Sequence, residues 1–400
     1  MPAQRPKRGT PALAKLKVLD LTRLLPGAFC SLMLADHGAE VIKIEQPGNG
    51  DYNRSLPPIN VKESGSFLLL NRNKQSLTLN LKTRAGKKIF LQLVDEADVV
   101  LEGFRPGVMH RLGLDYPRLA RRNPRLIYCA ISGFGQDGPY REASGHDINY
   151  MGIAGALQLF AMRGGRPIVP GLSIADVGGG SLMALFGILT AVVARQASGL
   201  GQLVDVSMTD GVAPWLCYHA ADFLFAGIEP KGGERALIGE APCYNVYRCE
   251  DGKFLTLGII EEHFWHAFCG VIGRSELKDK QWPSGEAAVL QYDELAALFA
   301  TAPRDAWVRR LRAADVPAGP VNSMAEAFAD PQFKHRGMLQ YVAHPIEGRI
   351  PQFGHPVKFS RTPGRVSAPP PVLGEHTDTI LSRCGYDQKA IARLREQGVV

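Results

Sequence analysis

The first two hundred residues carry short unbroken apolar runs separated by segments of helical periodicity. LKVLDL at 16–21 and EVIKI at 40–44 predict buried strands, with a helix over 28–36 between them and Pro26-Gly27 turning the chain. A helix over 84–96 leads to a strand at 99–101, and a short helix at 117–122 leads to a strand at 126–131. The chain is apolar and Gly-rich from 148 to 197, with one long helix after Gly180, and QLVDVS at 202–207 predicts another strand. Such alternation predicts an α/β fold built on a parallel, doubly wound sheet.

After about residue 225 the pattern changes. YRCEDGKFLTLGII at 247–260 alternates apolar and polar positions around Asp251-Gly252, as an antiparallel hairpin does. Helices over 263–272, 293–301 and 304–314 complete a smaller α+β domain. The Pro- and Gly-rich stretch from 344 to 371 lacks periodicity and is expected to return in extended form to the first domain, on which a last helix over 388–397 docks. The expected division is a large domain of 1–225 with 345–400, and a small domain of 226–344 with its linkers.

Composition narrows the class. Four hundred residues, 45% of them apolar, can fill two cores. No run of about 18 apolar residues is free of charges and turns, and the N-terminal segment has no apolar centre like that of a signal peptide, so a cytoplasmic protein with no membrane contact is expected. Seven scattered cysteines, with no C-x-x-C pair and no His-Cys cluster, predict free and mostly buried thiols and no metal site. The net charge of +7 comes from dispersed Lys and Arg, the one dense run being PKR at 6–8, which favours a phosphate-bearing small ligand over nucleic acid.

Three segments carry candidate chemistry. In SGHDINYMGIAG (144–155), His146 stands beside Asp147 and Asn149 at the mouth of an apolar helix. An imidazole there suits proton transfer near neutral pH, while Asp147 or Asn149 holding backbone amides would leave His146 merely exposed. In LSIADVGGG (172–180), Asp176 precedes three glycines that open a helix, which leaves room for a ligand or makes Asp176 a helix cap. In LGIIEEHFW (257–265), Glu261 either faces a cleft or caps the helix that follows. The glycines lack the G-x-G-x-x-G spacing of a dinucleotide site, and no Gly-Lys pair completes a phosphate loop.

Taken in order, LKVLDLTRLLPG, GAEVIKIEQPGNGD, LNRNKQSLTLNLK, EGFRPGVMHRLGLDY, NPRLIYCAISGFGQDGPY, GHDINYMGIAG, ADVGGG, ASGLGQLVDVSMTDG and PVLGEHTDTIL resemble the family III CoA-transferase superfamily of CaiB/BaiF type, and within it the α-methylacyl-CoA racemases. The resemblance implies a Rossmann-like large domain that binds coenzyme A as part of the substrate, a small domain, and an interlocked homodimer with each active site shared between subunits. It implies no prosthetic group. It places Asp176 on the aspartate that is a nucleophile in the transferases and an acid/base in the racemases, His146 on a racemase-type histidine, and Glu261 on a glutamate supplied by the partner subunit. Leu79, Gly103, Phe104 and Arg111 are the implied contacts to the nucleotide half of coenzyme A. The chain departs from the pattern at Gln46, where an arginine is frequent, at Leu172 in GLSIAD, where the racemases carry asparagine, and at Glu262, where they carry proline.

A 2-methylacyl-CoA racemase removes a proton from carbon α and returns one to the opposite face, which requires two acid/base groups. His146 and Asp176 are expected to be that pair, with Glu261 raising the pKa of Asp176 and the glycine-rich turn donating amides to the enolate oxygen. In a CoA-transferase Asp176 instead attacks the thioester to give an acyl-aspartate anhydride, and His146 is a bystander. A catalytically silent acyl-CoA-binding dimer is the third possibility. Met151, Phe160, Met162, Met183 and Trp215 are either an acyl pocket or plain core.

Overall fold

The computed structural model describes residues 10–400, so the PKR run lies outside it. Six parallel strands form one sheet: β1 (Lys17–Asp20), β2 (Glu40–Glu45), β3 (Gln75–Thr78), β4 (Val99–Glu102), β5 (Ile127–Ser132) and β6 (Leu203–Ser207), in the order β3-β2-β1-β4-β5-β6. Strands β4 and β5 are buried along their whole length, so both sheet faces are covered, which is why they read as unbroken apolar runs. The strand order reverses between β1 and β4, and in such a sheet the crevice beyond the carboxyl ends of the strands there is the natural ligand site.

The chain separates into two compact units, one holding the residues up to Met151, Ser173–Val212 and Asp330–Val400, the other Gly152–Leu172 and Ala213–Ala329. This differs from the expected division at 344/345, because Leu339–His344 (β10) and Gly348–Phe353 (β11) pair as one hairpin that a boundary there would cut. The hairpin also corrects the expected extended return. Gln352 accepts from Arg72 Nη1 at 3.2 Å and donates to the Leu68 carbonyl at 2.9 Å. The last helix, Gln388–Glu396, docks on the first unit as expected, packing Ile391 and Leu394 beside Ile89, Phe90 and Val94 and leaving its charged face exposed.

The second unit carries the antiparallel strands Tyr244–Arg248 (β7), Phe254–Gly258 (β8) and Ala318–Pro320 (β9). Trp265, Phe268, Phe299 and Trp307 pack against them. Its helix Gly285–Phe299 begins well before the predicted 293.

Helix Leu24–Asp36 ends in a buried ion pair. Arg72 grips Asp36 through Nε–Oδ1 at 2.9 Å and Nη2–Oδ2 at 2.6 Å, and Asn73 adds a bond at 2.8 Å. Removing one partner strands a charge in the interior, so Asp36→Ala is expected to lose about 3–5 kcal/mol in urea unfolding. A loss below about 1 kcal/mol would mean that water reaches Arg72.

The chain does contain an apolar helix, Ala175–Ser198, that is long enough by length and composition to cross a membrane, contrary to expectation. The reason is that Gly178, Gly179 and Gly180, which read as a turn in the sequence, lie inside it.

Candidate active site

Much of the candidate site is shaped by stretches that leave the carboxyl ends of the parallel strands. Leu21–Arg23 follow β1, Gln46 follows β2, Leu79–Lys82 follow β3, Gly103–Pro106 follow β4 and Gly133–Phe134 follow β5. They line two cavities. The first, about 380 Å³, is bounded by Gln46, Asp51, Leu79, Asn80, Lys82, Phe104 and Val108 among others. The second, about 610 Å³, is bounded by Tyr52, Arg105, Phe134, Arg141, His146, Tyr150 and Asp176 among others. Leu21, Arg23 and Phe104 belong to both walls, so the two adjoin.

The structure brings His146 and Asp176 to one cavity from separate segments. His146 precedes the helix Asp147–Ile153, with its backbone N–H bonded to Asn149 Oδ1 at 3.0 Å and its ring exposed. Asp147 Oδ1 accepts from the Asp176 backbone N–H at 3.0 Å. The amide-holding role therefore belongs to Asp147 and Asn149, and His146 is left facing the cavity. Asp176 is not the cap of its helix either, since Ile174 takes that position and the Asp176 carboxylate lines the cavity.

Burial raises the pKa of Asp176 to about 6, repulsion from Asp147 adds to this, and attraction to His146 opposes it. Within this chain the like charge beside Asp176 is therefore Asp147, a role that sequence reasoning missed because Asp147 reads as a plain cap. Glu261 lies in the second unit at the N-cap of helix Glu262–Ile272, exposed and making no capping bond.

The turn Ala175–Leu182 is a wide one, with backbone bonds spanning five residues, a geometry frequent at functional sites. Its glycines serve packing. A β-carbon on Gly179 would lie 2.3 Å from the Met208 carbonyl oxygen, and one on Gly211 would lie 2.2 Å from the Gly179 oxygen. Gly178–Gly180 are buried and helical, and they form no exposed nest of amides for an enolate.

Behind the β4 loop, Glu102 is buried and its pKa rises to about 7 for that reason. Its Oε2 accepts from the Phe104 N–H at 2.7 Å, which fixes the loop. Arg23 lies 5.6 Å from the Phe104 ring centroid, and Arg105 Nη2 donates to Ser144 Oγ at 2.7 Å. Leu79 and Phe104 line the first cavity, and Gly103 and Phe104 the second. Arg111 is exposed on helix Val108–Leu112, outside both walls, with its guanidinium over Gly107. Gln46 lines the first cavity, where Lys82 and Arg23 supply positive charge. Of the residues considered for an acyl pocket, Met151 is fully buried core, Phe160, Met162 and Trp215 are exposed, and neither these nor Met183 lines the second cavity, whose wall instead carries Phe134, Tyr150 and Met208.

The model of CoA-transferase family III matches residues 13–377. An acyl-CoA transferase of Fusarium pseudograminearum is 36% identical over 97% of this chain and 88% of its own length. An alpha-methylacyl-CoA racemase of Mus musculus is 33% identical over 97% of each. The crystal structure of a CAIB/BAIF family protein from Brucella suis superposes with a TM-score of 0.82 at 33% identity, covering 94% of this chain and all of that one.

Proposed function

The chain belongs to CoA-transferase family III, and on that premise we propose that it binds an acyl-coenzyme A and interconverts the two configurations at carbon α of a 2-methylacyl group. The observation that carries this proposal is the pairing of His146 with Asp176 on one cavity, the carboxyl group having a pKa of about 6. An imidazole and a carboxyl group held protonated well above the usual carboxylate range, brought to one cavity from separate backbone segments, suit removal of a proton by one and delivery by the other.

In this mechanism the nucleotide half of coenzyme A occupies the cavity of Leu79, Lys82 and Phe104, and the thioester lies in the cavity of His146 and Asp176. One of the pair, in its basic form, takes the α-proton. The electron pair left on carbon α delocalises onto the thioester oxygen as an enolate, and the other group, in its acid form, returns a proton on the opposite face. Proton count and redox state are unchanged overall.

A homodimer is part of the proposal. Helix Met183–Ser198 leaves Phe186 and Val193 about two-thirds exposed, at 69% and 65%, and helix Cys217–Ala226 leaves Phe225 90% exposed. Apolar surface of this kind calls for a covering partner. A second copy would cover it and bring its Glu261 to the site.

CoA transfer is the second reading, favoured by Arg23, Arg105 and Arg141 on the wall of the reacting cavity, where guanidinium groups can hold an acceptor carboxylate. Here the Asp176 carboxylate attacks the thioester carbonyl and forms a mixed anhydride as the CoA thiolate leaves. A single epimer of a 2-methylacyl-CoA is expected to become a mixture of both with no acceptor acid present. Retention of configuration, together with an acyl-Asp176 adduct trapped by hydroxylamine, would replace the racemase by the transferase.

A further inference from the structure

The turn that leads from β1 into helix Leu24–Asp36 is strained and clamped. Leu24 has φ +59°, a left-handed conformation that costs a residue with a side chain on the order of 1–2 kcal/mol. Its neighbours make this strain consequential. Thr22 and Arg23 line the first cavity, and Arg23, Leu24 and Pro26 line the second, so the turn divides the two.

Buried charge holds the turn. Lys43 Nζ donates to the Thr22 carbonyl at 2.9 Å and pairs with Asp51 Oδ2 at 2.9 Å, and Asp51 Oδ1 accepts from the Leu24 N–H at 3.3 Å. The side chains of Lys43 and Asp51 are 0% and 1% exposed. Beyond the turn, Ser181 Oγ lies 2.6 Å from the Pro26 oxygen and 3.1 Å from the Asp176 oxygen, which links the turn to the backbone that bears Asp176. Desolvation offsets much of what a buried ion pair contributes to stability, and apolar residues of similar volume can replace one at little cost. An apolar pair, however, cannot bond the Thr22 carbonyl or the Leu24 N–H.

We infer that Lys43 and Asp51 are positioning residues, whose buried ion pair holds Leu24 in its left-handed conformation and thereby sets the turn between the two cavities and its link to the backbone of Asp176. This inference deepens the acyl-CoA function proposed above and rests on it for its turnover readout alone.

The test replaces the pair together, Lys43→Met with Asp51→Leu. Hydrogen exchange at the Leu24 amide is expected to accelerate at least tenfold, with kcat falling at least tenfold and by more than KM rises. Leu24→Gly relieves the strain, so on top of that substitution the same pair of changes should cost less than threefold in kcat. Unchanged Leu24 exchange, or the same kcat loss with and without Leu24→Gly, would overturn the inference. If the apolar pair does not fold, Asp51→Asn is measured with and without Leu24→Gly, and the same signs are expected. If the wild type turns over no acyl-CoA, the function proposed above fails, and amide exchange still decides on the clamp.

Discussion

Asp176→Asn is expected to lower kcat by about 10³-fold or more while making the protein more stable at pH 8. The loss follows under either chemistry, because asparagine neither exchanges a proton near neutrality nor attacks a thioester. The gain follows from linkage. The folded-state pKa of about 6 lies above the ordinary 3.8, so the native state binds this proton more tightly than the unfolded chain does. Below the ordinary value the group is protonated in both states and has no effect. As pH rises from about 4 to 6 the native carboxylate loses its proton against the cost of burial, and the penalty is constant above that. Because part of the group reaches solvent, that penalty is about 1–2 kcal/mol after allowance for screening. Asp176→Asn should therefore raise the melting temperature at pH 8 and leave it unchanged at pH 3.5. Equal melting temperatures at both values would mean that Asp176 is not held as an acid.

His146→Ala is expected to cost about 10²–10⁴-fold in epimerisation without loss of stability. The imidazole is exposed and the backbone bond to Asn149 survives the change, so the melting temperature should move little. The result also separates the two chemistries. Acyl transfer through Asp176 has no step that needs His146, and CoA movement between acids at the wild-type rate in this variant would assign the chain to the transferases.

How much of the fold is legible in the sequence depends on burial. Strands β1, β2, β4 and β5 are buried from end to end or nearly so, and apolar runs mark them. Strand β3, with sequence QSLT, escapes the pattern because polar Ser76 is buried there and bonds to Glu45 Oε2 at 2.7 Å. The β10–β11 hairpin escapes it because β10 is largely exposed and β11 carries Pro351 within it. At the site, His146 and Asp176 are visible from their flanking motifs. Their meeting depends on two separate segments joined by the bond from the Asp176 N–H to the Asp147 carboxylate, and spacing along the chain carries no trace of it. The packing role of Gly179 is hidden for the same reason, since Met208 and Gly211, which press on it, come from a separate stretch of the chain.

The central claim is that His146 and Asp176 act together on the proton at carbon α. The direct measurement is incorporation of deuterium at that carbon from D₂O, by the wild type and by the His146→Ala and Asp176→Asn variants, with a 2-methylacyl-CoA and no added carboxylic acid. The account predicts exchange in the wild type and its loss by about 10²-fold or more in each variant. No exchange in the wild type, with CoA moving to a carboxylic acid once one is added, would contradict it.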